Sequence, residues 1–326
     1  LKGEGRFVAG NTTKDMLLEM LEDQPGSFVS GEVLANKLSI SRNAVWKAAQ
    51  ALRLQGYDIR AVTNRGYQLV RSGSAILAED VTRRLPKSAP FKVTVIPRVK
   101  STNSEARRLA QGGAAEGTVV IANEQTAGRG RQGRSFFSPS GTGLYLSVVL
   151  RPSLEADSAQ VLTTMGAVAC ALAIEELTGQ ETSIKWVNDV FVRGRKVGGI
   201  LTEGQVDIES GRFAHVVLGV GVNVCRPQKG FPEELEPIAG FVCEQDIRAE
   251  LAAAFLGNLW KLYRQLPACA HYQDYRDRCF VLGRPVVVSR DGRRIRGRAL
   301  DITPAFELVV GLPDGQQVAY RYGEVV

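Results

Sequence analysis

The segment Gly128-Arg129-Gly130-Arg131-Gln132-Gly133-Arg134 alternates flexible backbone with cationic side chains. Glycines let a backbone bend and approach a ligand closely. Guanidiniums clamp phosphate or carboxylate oxygens in pairs. These residue types point to an anionic ligand, a polyphosphate above all. The segment also matches Gly-x-Gly-x-x-Gly, but the dinucleotide fingerprint needs a helix opening directly on it. A strand-like run, Thr118 to Ala122, precedes the segment. Ser135 to Gly143 follows, carries Pro139 and Gly141, and runs into Leu144 to Leu150, which reads as another strand. The segment therefore reads as an anion-clamping loop between two strands and not as a nicotinamide site.

Three further motifs could share its ligand. Lys185-Trp186-Val187-Asn188-Asp189 sets an amine, an aromatic ring, an amide and a carboxylate around a turn. Lys185 suits phosphate, and Asn188 or Asp189 suits magnesium, which prefers oxygen ligands. In Arg195-Lys196-Val197-Gly198-Gly199-Ile200, Lys196 suits a ligand carbonyl or phosphate beside glycines that permit close approach. Gly219-Val220-Gly221-Val222-Asn223 places glycines under a flat ligand and an amide at the end. The set converges on an apolar slot beside a phosphate clamp, without a nucleophile. That is the profile of nucleotidyl transfer, which needs mainly positioning and charge stabilisation.

Composition narrows the alternatives. The 326 residues suffice for two or three domains, with 44% hydrophobic and 23% charged residues as in an ordinary globular protein. A net charge of +7 suits a nucleic-acid or polyphosphate partner. The five cysteines are widely and irregularly spaced, which disfavours a disulfide framework or a metal site and suits a reducing cytoplasm. Only two histidines occur, His215 and His271, and both read as structural, so a Ser-His-Asp or Cys-His hydrolase is disfavoured. No signal-peptide pattern is expected. The most apolar run, Val161 to Ile174, is interrupted by Thr163, Thr164 and Gly166, so no membrane span is expected either.

The elements that position these motifs follow from periodicity. After an N-terminal extension (1–12), residues 13–72 read as a winged helix-turn-helix. It comprises helices over Asp15 to Glu22, Gly31 to Lys37 and Ser41 to about Gln55, the last closed by Gly56, and then a hairpin with its tip at Thr63-Asn64-Arg65. The third helix turns Arg42, Asn43, Trp46, Lys47, Gln50 and Arg53 outward. Ser41, Arg42, Asn43, Trp46 and Lys47, with Arg65 on the wing, are the expected DNA contacts. A linker (73–79), starting from the small, polar Arg71-Ser72-Gly73-Ser74-Ala75 stretch, leads to a mixed sheet with helices on one face (80–282). Thr102 and Glu105 form a capping box there, and Asp157 caps a long apolar helix closed by Gly179. Residues 283–326 read as a small β-barrel of roughly five strands with a basic run, Arg293, Arg294, Arg296 and Arg298.

In their order, Ser101-Thr102-Asn103, the Gly128–Arg134 loop, Lys185-Trp186-x-Asn188-Asp189, Arg195-Lys196-Val197-x-Gly199-Ile200-Leu201 and Gly219-x-Gly221-x-Asn223 resemble the bacterial biotin–protein ligases. The N-terminal unit makes the chain similar to their bifunctional, repressor form. The resemblance spans nearly the whole chain. It implies an α+β fold with a class II synthetase-like centre and an SH3-like C-terminal barrel. It also implies activation of biotin with ATP and Mg²⁺ to biotinyl-5′-AMP, then transfer to a lysine of a biotin carboxyl carrier protein.

By this resemblance Ser101, Thr102, Asn103 and Gln125 line the biotin ureido pocket, with Gly128, Gly219 and Gly221 in the biotin site. Arg129, Gly130 and Arg131 belong to a loop that closes over the biotinyl and phosphate groups, with Arg134 on the adenylate side. Lys196 contacts the activated carboxyl and the adenylate phosphate. Lys185, Asn188 and Asn223 sit near ATP phosphates or Mg²⁺, which has no dedicated protein cage. Asp189 orients the acceptor lysine or supports its turn. Phe136 stands where many members have tryptophan beside adenine, and Val187 where proline is common. The implied partners are the carrier protein, operator DNA of biotin genes and, with biotinyl-AMP bound, a second copy of the chain. No membrane is implied. A lipoate-type ligase and a ligand-sensing regulator without catalysis are the alternatives.

Overall fold

The computed structural model describes residues 12–24, 26–54, 57–70, 75–155, 158–266, 268–290 and 293–325. The expected extension before Thr12, the closing Gly56, the linker residues Arg71 to Ser74 and the Asp157 cap lie outside these.

The N-terminal unit is three helices and a hairpin. Helix α1 (Thr13–Glu22) starts where Asp15 accepts a 2.9 Å hydrogen bond from the Thr12 backbone. Helix α2 (Gly31–Leu38) starts where Ser30 Oγ accepts from the Val33 N–H at 3.1 Å, and Ser39 turns the chain with φ of 55°. Helix α3 (Arg42–Leu54) starts where Ser41 Oγ accepts from the Ala44 N–H. Strands β1 (Ile59–Val62) and β2 (Gly66–Leu69) pair as the hairpin. Leu17, Leu21, Leu34, Val45, Ala49 and Leu52 join Ile59 and Leu69 in one small core. Each fully buried leucine there contributes about 1.5–3 kcal/mol. The hairpin docks through a Val29–Tyr67 bridge. Gly66 is required at the docking point, because a Cβ there would lie 2.1 Å from the Val29 carbonyl oxygen.

The central unit runs α4 (Ala78–Arg84), β3 (Lys92–Ile96), α5 (Thr102–Gln111), β4 (Thr118–Ala122), β5 (Gly143–Leu150), α6 (Ala159–Thr178), β6 (Thr182–Lys185), β7 (Asp189–Val192), β8 (Arg195–Val206), β9 (Phe213–Asn223), α7 (Arg248–Tyr263) and α8 (Tyr272–Arg278). The sheet order is β3-β4-β5-β9-β8-β7-β6. Only β3 and β4 run parallel, across the α5 crossover, and the other neighbours are antiparallel.

The expectation of helices on one face is corrected. Leu144, Leu146, Val148 and Leu150 of β5 join the core formed with α6 and α7. Ala106 and Ala110 of α5 pack instead on Val120, Val149 and Val217, the alternate positions of β4, β5 and β9. These strands are apolar on both faces, so both need cover.

Helix α6 is long and apolar enough by length and composition to cross a membrane, which corrects the expectation of an interrupted run. Thr163 and Thr164 do not interrupt it because their hydroxyls donate back to helix carbonyls of Ala159 and Gln160. Its buried residues, Met165 to Ala171 among them, place it in the core. Gly179 closes it with φ of 66°, as expected.

The C-terminal unit is an antiparallel sheet of β10 (Pro285–Arg290), β11 (Arg293–Ile302), β12 (Leu308–Gly311), β13 (Gln317–Tyr320) and β14 (Glu324–Val325), in the order β13-β12-β11-β10-β14. Val286, Val288, Ile302, Phe306 and Val325 belong to the same core as the central sheet. Trp186 Nε1–H donates to the Phe306 carbonyl at 3.0 Å across this junction. Arg293, Arg294, Arg296 and Arg298 are exposed.

Candidate active site

A cleft opens where the N-terminus of α5, the Gly/Arg loop, the turns flanking β7 and the glycines of β9 meet. Its floor is set by absent side chains. A Cβ on Gly219 would lie 2.0 Å from Asn103 Oδ1, and one on Gly221 would lie 2.7 Å from the Phe136 ring. Gly219 and Gly221 themselves line the cleft, and they also seat Asn103 and Phe136, which line it too.

Ser101, Thr102 and Asn103 are buried at the start of α5. The expected Thr102–Glu105 capping box does not form. Gln125 Oε1 accepts from the Thr102 N–H at 2.8 Å instead, so a side chain from beyond β4 caps the helix, while Glu105 pairs with Arg108. Ser147 Oγ lies 2.6 Å from Asn103 Oδ1 and 2.8 Å from Thr102 Oγ1. Asn103 Nδ2 donates to Glu203 at 2.8 Å and to the Leu201 carbonyl at 3.2 Å. This polar network sits on an apolar sheet and fixes the amide's orientation, which presets its hydrogen-bonding pattern toward a ligand.

The Gly/Arg loop is an excursion closed at its base. Phe136 N–H donates to the Gly128 carbonyl at 2.9 Å, and Gly130 N–H to the Arg134 carbonyl at 2.7 Å. Gln132 and Gly133, with φ of 54° and 75°, turn the tip. Gly128 is buried at the base and does not line the cleft, because the space a Cβ would need holds the Phe136 carbonyl. Arg129 lies 3.4 Å from Glu203. Arg131 is half-buried and donates to Asn188 Oδ1 at 2.9 Å and to the Gly323 carbonyl at 3.4 Å. Burial pulls its guanidinium below the ordinary value, while the charges of Asp189 and Glu324 oppose that shift. Arg134 is held by Glu324, whose hydrogen bonds push the guanidinium up.

Across the cleft, Lys196 Nζ of β8 lies 2.7 Å from Asp189 Oδ1 of β7. Asn188 Nδ2 donates to the Ile200 carbonyl at 3.0 Å, and the Trp186–Val187 peptide bond is cis. Lys185 lines the same wall. Asn223 does not. It turns away, and its Nδ2 donates to the Gly240 carbonyl at 3.0 Å. The other expected cleft residues, Gly130 and Phe136 included, come together. Among the described residues no group of three His, Cys, Asp or Glu side chains could hold a metal ion.

The sequence reading missed Glu203, Ser147, Gly323 and Glu324. An acid within the long β8 run was a usable signal for Glu203. Glu324 had none, because only the C-terminal sheet's docking brings it to Arg134. His215 and His271 lie outside the cleft. His271 stacks on Phe306 at 4.7 Å and sits 3.1 Å from Thr164 Oγ1, and burial lowers its pKa to about 4.

On the N-terminal unit, Asn43, Lys47 and Trp46 are exposed, Trp46 at 49%. Arg42 pairs with Glu32 at 2.6 Å, Ser41 is occupied as a cap, and Arg65 stacks over Phe28 at 4.3 Å. The outward reading of Arg53 is corrected: its Nε–H donates to the Ile59 carbonyl at 2.7 Å. Gln50 is half-buried.

Comparison with known proteins bears on both units. The biotin/lipoate A/B protein ligase family matches residues 95–223, and an HTH domain matches residues 14–68. The chain is 37% identical over 230 residues to the bifunctional ligase/repressor BirA of Bacillus subtilis, covering 70% of each. It is 34% identical over 214 residues to that of Escherichia coli, covering 66% of this chain and 64% of the relative. Among solved structures it resembles the biotin protein ligase from Aquifex aeolicus in complex with biotin and ATP. That match has a TM-score of 0.61 and 26% identity, covering 72% of this chain and 97% of the other.

Proposed function

The chain belongs to the biotin/lipoate A/B protein ligase family, and on that premise we propose that it is a biotin–protein ligase that also represses transcription. It activates biotin with ATP to biotinyl-5′-AMP, releasing pyrophosphate, and passes the biotinyl group to a lysine of a biotin carboxyl carrier protein. The observation that carries this reading is one convergence. Arg131 of the loop bonds Asn188 while Lys196 pairs with the adjacent Asp189, so the separate motifs share one cleft.

The chemistry follows from these positions. Ser101, Thr102, Asn103 and Gln125 offer preset donors and acceptors to the ureido ring. The biotin carboxylate attacks the α-phosphorus, and Arg131 and Lys196 stabilise the charge that builds on the phosphate oxygens. Arg129, Arg134 and Lys185 hold the polyphosphate, and Phe136 offers a ring face to adenine. In the second step the acceptor amine attacks the acyl carbon and AMP leaves. Asp189, freed when the adenylate takes Lys196, is the carboxylate placed to orient that amine. Magnesium would arrive with ATP, with Asp189 as the nearby carboxylate that could help hold it, and would supply charge neutralisation. Asn223 faces Gly240 and has a structural part in this scheme.

The N-terminal unit, 13–72, serves as the DNA-binding domain through the start of α3. Residues 80–282 form the class II synthetase-like ligase domain after a linker at 73–79. Residues 283–326 form the SH3-like domain that completes the cleft. A biotinyl-AMP-dependent homodimer places two such helices on a palindromic operator. A cytoplasmic location is part of this reading, from the wide and irregular cysteine spacing. Pyrophosphate exchange tests the reading: exchange with biotin supports it, and exchange with lipoate alone would overturn it.

A further inference from the structure

Cys225 and Cys243 are half-buried, and Cys225 lies just beyond the end of β9. Both sulfurs approach one oxygen. Cys225 Sγ lies 3.2 Å, and Cys243 Sγ 3.3 Å, from the Gln245 carbonyl. The backbones are equally close. Cys243 N–H donates at 3.0 Å to the carbonyl of Val224, the residue bonded to Cys225. Sulfurs that share an acceptor on backbones joined this way can meet the short Cα separation a disulfide needs. Cys170 and Cys279, by contrast, are buried in the core.

The segment between the pair touches one cleft residue, Lys196, and two residues beside the cleft, Asn223 and Phe137. Lys196 N–H donates to the Ile238 carbonyl at 3.0 Å, and Gly240 N–H to the Lys196 carbonyl at 2.8 Å. Gly240 also holds Asn223. Phe231 packs edge-on against Phe137, the neighbour of the cleft residue Phe136. A covalent tie at the base of this segment would therefore restrict chain that abuts Lys196 and the Phe136 side of the cleft.

We propose that Cys225 and Cys243 are a modification site that takes an intramolecular disulfide, locking the base of the 226–242 segment beside the nucleotide. The link to the nucleotide rests on the ligase reading above; the disulfide itself does not. The oxidant is a low-molecular-weight disulfide. One cysteine thiolate attacks it, forming a mixed disulfide and releasing one small thiol. The second thiolate attacks the protein sulfur and releases the other. Two S–H bonds are lost and one S–S bond forms, the reagent is reduced to two thiols, and the departing thiolates take the protons. Burial holds both thiols above the ordinary value, so exchange runs faster in mild alkali.

The test treats the full chain with oxidised glutathione at mildly alkaline pH, blocks remaining thiols and maps peptides. A 225–243 crosslink that dithiothreitol reverses is expected, absent from Cys225→Ser and from Cys243→Ser. Separate glutathione adducts without a crosslink would overturn the site. Trypsin cleavage after Lys229 should slow about threefold or more on oxidation, and unchanged cleavage of the crosslinked chain would overturn the lock. The KM for ATP in pyrophosphate exchange should shift reversibly by a similar factor in the parent but in neither variant. A crosslink that leaves it unchanged would overturn the nucleotide link. If the reduced parent shows no exchange with biotin, the ligase reading falls with that link, while mapping and proteolysis still decide the disulfide.

Discussion

Arg134 and Glu324 meet as a bidentate pair, with each guanidinium nitrogen donating to its own carboxylate oxygen at 2.5 Å. They lie 190 residues apart, one on the Gly/Arg loop and the other on the final strand of the C-terminal sheet. The same strand segment receives Arg131 at the Gly323 carbonyl. The C-terminal unit thus presents a carboxylate to the loop proposed as a phosphate clamp, where an arriving polyphosphate would compete with it.

Glu324→Gln should lower the KM for ATP, because Arg134 no longer has to give up a carboxylate. The pair is partly exposed, so the effect is small: a partner worth about 0.2–1 kcal/mol corresponds to a change of roughly 1.4-fold to fivefold. Arg134→Ala should raise the KM. Steady-state pyrophosphate exchange measures both, and a higher KM in Glu324→Gln would show that the carboxylate assists ATP binding.

Gly219→Ala should disturb the Asn103 network. The new methyl would occupy a point 2.0 Å from Asn103 Oδ1, and relief requires Asn103 to leave Ser147 and Glu203. Overpacking of this kind costs about 1–3 kcal/mol. Biotin affinity should fall more than ATP affinity, as isothermal titration can report. Equal losses for both ligands would argue against Asn103 facing biotin.

His271 should make stability fall in mild acid. Its folded pKa is depressed to about 4, chiefly by burial, against 6.5 for the free side chain. Between those values the unfolded chain binds the extra proton, so stability rises with pH through that window and is lost as pH drops from 6.5 towards 4. The contribution is about 3 kcal/mol at most. Melting temperatures of the parent and His271→Gln, compared from pH 7 to pH 4, check the sign. A pH dependence unaltered by the substitution would assign the effect elsewhere.

Lys47→Ala should weaken operator binding and reduce the salt slope of log K by about 1, the signature of one lost phosphate contact. Lys47 is exposed on α3. Arg53→Ala should lower stability instead, since its guanidinium supports the Ile59 carbonyl. A changed salt slope in Arg53→Ala would restore it to the DNA face.

Much of this architecture was legible in local pattern. Helix α3, and the turn at Asn188, lie where spacing and residue type put them. What stayed hidden depends on contacts between distant segments. Gln125 caps α5 from across a strand, Gly219 and Gly221 yield their space to Asn103 and Phe136, and Glu324 reaches Arg134 from another sheet. Asn223 misled for the same reason: the Gly240 carbonyl, from a distant segment, claims its amide. The expectation of helices on one face missed α5 because the sequence of β5, apolar on both faces, does not say which helix covers which face.

The most direct test of the central claim is labelling of a biotin carboxyl carrier domain by the purified chain with biotin, ATP and Mg²⁺. Labelling of one lysine, dependent on all three and slowed about 10²–10³-fold by Arg131→Ala, is the predicted result. No labelling by the parent chain, or labelling by Arg131→Ala at the parent's rate, would contradict the account.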